Sequence, residues 1–255
     1  MKLTLIRNAT LRLSYAGRAL LLDPYLAEKH SLPAYANLSR NPLVDLPMSA
    51  AEVVAGIELT LISHVHTDHF DAAAQERLPK DSLLLCQPAN EAAIRSKGFL
   101  NVTPVTAAYA WSDIHIQRVP GRHGTSADIL QMMGPVSGFV LQAAGEPTVY
   151  WVGDSVWYEE VAAAIDQWQP DVIVTHSGGA VWGSQRELII MDAAQTAAVC
   201  QYAPRSTIIA THLEALDHCL TSRAELRRAA DNAGISPTQL RIPADGEMVE
   251  VKREK

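Results

Sequence analysis

The sequence predicts an α/β protein in which two β-sheets pack face to face with helices on their outer sides. Three observations lead there. Apolar alternation of strand type opens the chain, strand-like runs then alternate with helix-like stretches, and this succession of a meander followed by βα units occurs twice in outline. The chain has 255 residues, 48% hydrophobic and 19% charged, enough for one sizeable domain spanning 1–255 and too little for two ordinary large ones.

Leu3 and Leu5, then Leu11, Leu13 and Tyr15, alternate with polar or small neighbours, and the apolar run from Ala19 ends at Asp23, a β-meander. Residues 24–47 carry Pro33, Pro42 and Pro47 among Asn37, Ser39 and Asn41 with no clean period, which predicts a long loop, placed to act as a lid. Ile57, Leu59 and Leu61 make a strand ending in Ser63-His64-Val65-His66-Thr67-Asp68-His69. A helix over 71–78, a strand over 82–86, a helix over 88–97 with Pro at its start and a strand over 102–105 follow. Further strands are expected at 113–119, 136–143, 148–152, 171–175 and 207–210, with helices at 155–168, 192–202 and 222–232. In the first of these helices Trp157, Val161, Ala164, Ile165 and Trp168 form one apolar stripe.

Composition excludes several classes. Twenty-one basic against 28 acidic residues leave a net charge of −7 with no basic cluster, which argues against nucleic acid as a partner. No apolar run suits a membrane span or a secretion signal, so a cytoplasmic protein acting on a small molecule, with homo-oligomerisation left open, is expected. Three scattered cysteines, Cys86, Cys200 and Cys219, offer neither a disulfide framework nor a thiolate metal site.

The six residues from His64 to His69 carry the chemistry. From this chain's own composition, HxHxDH arises by chance roughly once in two thousand such sequences. Residues i and i+2 of an extended chain project to one side, so His64 and His66 can share a metal ion. Asp68 and His69, on the turn beyond, can aim at a second position. A divalent ion held by imidazole and carboxylate needs further ligands, and His123, Asp154 and His212 each follow the end of an apolar strand. His176 stands in the same kind of place and competes with His212. His30 and His115 suit the surface, and His218 a turn beside Asp217.

HxHxDH followed by a His, an Asp and a final His on separate loops resembles the metallo-β-lactamase superfamily, most of all the small metal-dependent hydrolases that include L-ascorbate 6-phosphate lactonase. The resemblance implies a four-layer αββα sandwich over essentially the whole chain. It implies that His64, His66 and His123 hold one ion, Asp68, His69 and His212 a second, and that Asp154 bridges them, with zinc expected and manganese or iron as alternatives. Asp68 and Asp154 are then the catalytic carboxylates, and His176 a neighbour of the ligands. Those relatives commonly carry Gly-His-Ala/Ser where this chain reads Arg7-Asn8-Ala9, so Asn8 is a departure.

Two such ions can bridge a hydroxide at neutral pH, which points to a hydrolase of a small polar or anionic ester, lactone, amide or phosphodiester. Arg122 beside His123, and Trp157 after Asp154, are candidates for the substrate pocket. The competing readings are an iron-dependent oxidoreductase of the same fold, a nuclease, and a non-catalytic sensor.

Overall fold

The computed structural model describes residues 1–253. Strands β1 (Lys2–Arg7), β2 (Thr10–Tyr15) and β3 (Arg18–Leu22) form an antiparallel meander, continued in parallel by β4 (Leu59–Ile62), β5 (Leu84–Cys86) and β6 (Val102–Pro104). The second sheet repeats the plan. Its antiparallel part is β7 (Ala108–Trp111), β8 (Ile114–Pro120), β9 (Ser137–Gln142) and β10 (Val149–Trp151), and its parallel continuation begins with β11 (Val172–His176). A short hairpin, β12 (Val181–Trp182) and β13 (Glu187–Leu188), stands apart. The second sheet then closes with β14 (Thr207–Thr211) and β15 (Leu240–Arg241), while β16 (Met248–Glu250) returns to the edge of the first beside β1.

Alternation along the strands builds the layers. Leu20, Leu22, Leu59 and Leu61 point inward to meet Ile116, Phe139, Leu141 and Trp151 of the other sheet, burying a core between the two. Their neighbours Leu21, Ile62 and Leu84 point outward, where Val53 of α1 (Ala50–Val54), Ala74 of α2 (Ala72–Arg77) and Ile94 of α3 (Glu91–Arg95) cover them. After α4 (Ala127–Met133), the outer face of the second sheet, Val140, Tyr150, Ile173 and Ile208, is covered by α5 (Glu159–Trp168), α6 (Ala193–Tyr202) and α7 (Arg223–Asn232). The result is the expected four-layer αββα sandwich. Among the described residues no helix is long and apolar enough to cross a membrane.

Some elements differ from expectation for visible reasons. Helix α5 starts at Glu159 rather than 155, because the Val156 N–H donates to the Arg122 carbonyl and the Trp157 N–H to Gln195 Oε1, which keeps 155–158 out of the helix. Expected helix 88–97 opens as a 3₁₀ turn over Pro88–Asn90. Helices α1 and α4, strand β7 and the β12–β13 hairpin are short elements that periodicity does not reveal.

Residues 24–47 do form the long irregular segment expected, and buried polar groups tie it down. The fully buried Arg7 guanidinium donates to the carbonyls of Tyr25, Ala27 and Val44 and lies over the Tyr25 ring. At the far end Asp217 accepts the backbone N–H groups of Tyr35, Ala36, Leu38 and Ser39 and the Asn41 amide. A carboxylate receiving this many donors is strongly held. Despite partial burial, they keep Asp217 below the usual carboxylate range.

Candidate metal centre

Parallel strands end together at one rim of the sandwich, where loops bring polar groups into a crevice. Asp23 follows β3, His64 to His69 follow β4, His123 follows β8, Asp154 follows β10, His176 ends β11 and His212 follows β14. Gly153 makes the approach of Asp154 feasible. It has φ +70°, and a Cβ there would stand 2.8 Å from the Ser137 carbonyl oxygen. Asn8, Asp23 and His212 around this crevice also adopt positive φ without being glycine.

His64, His66 and His123 form a first group with ring nitrogens converging within 4.8 Å. The Ser63 hydroxyl donates to Asp23 Oδ2, so it accepts from His64 Nδ1–H at 2.9 Å, leaving the Nε2 lone pair of His64 turned inward. That Nε2 is 2.9 Å from His66 Nδ1. His123 Nδ1–H donates to the Ile189 carbonyl at 2.7 Å, which likewise frees its Nε2.

The second group is built on carboxylates. His69 Nδ1 is 2.6 Å from Asp23 Oδ2, and its Nε2 lies 3.4 Å from Asp68 Oδ2 and 3.1 Å from Asp154 Oδ2. His212 Nε2 lies 3.2 Å from Asp68 Oδ2 and 3.8 Å from Asp154 Oδ1. Asp154 Oδ2 is also 3.5 Å from His123 Nε2 and 3.9 Å from His64 Nε2, so this carboxylate stands between the groups.

By distance alone His176 joins His69, Asp154 and His212. Its hydrogen bonds separate it from His212. The Trp151 indole N–H, a donor only, meets His176 Nε2 at 3.2 Å, so the ring proton sits on Nδ1 and is given to Asp154 Oδ1 at 2.5 Å. Both nitrogens are thus committed, and His176 orients Asp154. Asn8 lies behind the same group: its side-chain amide donates to the Asp68 backbone carbonyl at 3.1 Å and its backbone carbonyl accepts the His212 backbone N–H at 2.8 Å.

Electrostatics divide the groups. Burial lowers His64 well below its ordinary value, helped by the neighbouring imidazoles, and pushes His123 down to about 4. Burial acts the same way on His69 and His212, but the carboxylates outweigh it: His69 is held well above its ordinary value and His212 at about 10. Burial likewise opposes ionisation of Asp68 and Asp154, yet the imidazoles around them keep both well below the carboxylate range. Neutral nitrogens and ionised carboxylates converging in one buried crevice are the donor set that takes divalent cations.

A cavity of about 320 Å³ opens onto the centre at His66, Asp68, His123 and Asp154. Its walls are Tyr35, Val65, Thr67, Met132, Met133, Trp182, Ile189 and His218, with no Lys or Arg among the described lining residues. Arg122 and Trp157, expected near the pocket, are outside it. The Arg122 guanidinium lies over the Tyr158 ring and toward Thr125 and Glu159, and Trp157 packs edge-on against Tyr202. His218 sits in the turn beside Asp217 as expected and there also lines the cavity, while His30 and His115 are exposed as expected. Asp23 escaped notice, although a carboxylate at the end of an apolar strand is the signal that singled out Asp154. The lining residues of 182–218 had no such signal.

A model of the beta-lactamase superfamily domain matches residues 18–213. A Bacillus subtilis protein named UPF0173 protein YddR is 34% identical over 254 residues, 97% of this chain and 98% of that one. Among solved structures, the isothiocyanate hydrolase from Delia radicum gut bacteria has 36% identity and a TM-score of 0.92, covering 99% of both chains. A Veillonella parvula protein described as a possible metal-dependent hydrolase has 31% identity and a TM-score of 0.94, covering 98% of this chain and 99% of that one. The chain belongs to the beta-lactamase superfamily.

Proposed function

We propose that this member of the beta-lactamase superfamily, a metal-dependent hydrolase, uses two divalent ions to hydrolyse a small uncharged carbon electrophile with an apolar body, of the isothiocyanate class. The observation that carries the reading is the cavity: largely apolar and aromatic walls open directly onto the cluster, with no Lys or Arg among the described lining residues to meet an anionic ester or phosphodiester. The likeness to an isothiocyanate hydrolase over 99% of both chains supports the class.

His64, His66 and His123 would hold one ion, and Asp68, His69 and His212 the other, with Asp154 between them. Zinc suits the three-imidazole group best. When bound, such ions lower the pKa of water and polarise the bond it attacks.

The chain's residues supply orientation and proton handling. His176 fixes Asp154 Oδ1, which keeps Oδ2 facing both groups, and Asp23 fixes the His69 ring. Asp68 borders the cavity and takes the proton of the attacking water. In the overall reaction R–N=C=S and water give R–NH2 and carbonyl sulfide. The water oxygen bonds to the central carbon, one water proton moves to nitrogen as the N=C bond becomes single, and the second moves to nitrogen as the C–N bond breaks and carbonyl sulfide leaves.

The test is metal content per chain before and after chelation, paired with turnover of benzyl isothiocyanate, a phenyl ester, a lactone and a phosphodiester. Near two ions per chain with chelator-sensitive amine release is the expected result. Turnover of the phosphodiester alone would overturn the substrate class, and a single redox-active iron would overturn the hydrolytic reading.

A further inference from the structure

The cavity wall carries two polar atoms without a hydrogen-bond partner of good geometry. Tyr35 Oη and His218 Nδ1 are buried atoms without a hydrogen-bond partner, with Thr67 as the neighbour of the Tyr35 hydroxyl. His218 is only 6% exposed. Unpaired buried polar atoms cost free energy that folding does not recover, and at a pocket wall a ligand can recover it. Both residues line the same cavity as Asp68.

Their placement is built. The carboxylate of Asp217 clamps the backbone of 35–39, so Tyr35 is held against the residue that follows Asp217, His218 itself, with the rings edge-on at 5.1 Å. Trp182 closes the group at 6.4 Å from Tyr35 and 6.1 Å from His218, and its own N–H is spent on the Met132 sulfur. Three separate segments therefore converge on one aromatic wall with two free hydrogen-bonding atoms. Burial pushes the Tyr35 hydroxyl up, so it remains a donor, and pushes His218 down, so it remains a neutral imidazole able to donate or accept.

Resting on the substrate class proposed above, we infer that Tyr35 and His218 are specificity-determining residues that hold the nitrogen end of the substrate. In N=C=S the nitrogen accepts a hydrogen bond, takes a proton during the reaction and departs as the amine. A donor beside a neutral imidazole suits an atom that starts as an acceptor and finishes bearing N–H. The apolar walls then receive the substrate's organic group.

The test compares Tyr35→Phe, His218→Leu and His218→Asn in the metal-loaded enzyme. Two readouts are used: turnover of benzyl isothiocyanate, and calorimetric binding of N-benzylthiourea, which keeps the N–C–S skeleton without being turned over. Tyr35→Phe and His218→Leu are expected to lower kcat/KM and thiourea affinity about tenfold each. His218→Asn, whose amide replaces the Nδ1 position, should stay within about threefold of wild type on both readouts. Metal per chain should not change. Unaltered turnover and binding in Tyr35→Phe and His218→Leu would overturn the assignment, as would losses that simply follow lost metal. A wild-type enzyme that neither cleaves the isothiocyanate nor binds the thiourea would instead overturn the substrate class, and the pair's role with it.

Discussion

The two halves of the candidate metal centre are made differently. His64 and His123 rest on a hydroxyl and a backbone carbonyl, neutral acceptors that set the ring without altering its charge, and burial keeps both imidazoles unprotonated. His69 and His212 face the carboxylates of Asp23, Asp68 and Asp154, which hold protons on the rings. One half is thus ready for a cation, while the other must exchange protons for it. Imidazole groups favour zinc, and carboxylate-rich groups accept harder ions, so the halves are expected to differ in affinity and in pH response.

Substitution of the shared carboxylate should erase the difference. Asp154→Ala is expected to lower turnover by about a thousandfold or more and to reduce metal content, as read by steady-state kinetics and elemental analysis. His212→Ala removes a donor from the carboxylate-built half alone. It should cost about a hundredfold and leave near one ion per chain, whereas loss of both ions would show that the halves fill as a unit. His176→Ala and Asp23→Asn, which touch only the orientation of Asp154 and His69, should each cost about tenfold with ions retained; a larger loss for His176→Ala than for His212→Ala would reverse their roles.

The smallest effect is the most diagnostic of the division. In the metal-stripped protein, His123 binds its proton near 4 rather than 6.5, so the unfolded chain holds more protons between those values and stability rises with pH there. His212 binds its proton up to about 10, so above 6.5 the folded chain holds more and stability falls as pH rises. The melting temperature of the stripped protein should therefore peak near pH 6.5. Loading with zinc should raise it and move the optimum upward, because the ion replaces the protons of His69 and His212. A stripped protein that stabilises steadily up to pH 9 would contradict the assignment of charge to that half.

The αββα layering was legible because it rests on alternation: Leu20, Leu22, Leu59 and Leu61 face one way and Leu21 and Ile62 the other, as period-two patterning demands. The cluster was legible for a related reason. Strands that end together bring their terminal residues together, so a polar residue after an apolar run was a usable sign for His64, His123, Asp154 and His212. Asp23 bore the same sign and completes the set.

What the sequence by itself determined, then, is the two-sheet core, the strand ends and the residue types available there, all products of local periodicity. Only the tertiary structure distinguishes His176 from His212, since the Trp151 indole reaches the former from a neighbouring strand and engages its Nε2. It also shapes the pocket: Arg122 and Trp157 lie outside it, while Tyr35 and His218, 183 positions apart by number, meet across the Asp217 clamp. Contacts between loops are set by side-chain hydrogen bonds that no periodicity encodes.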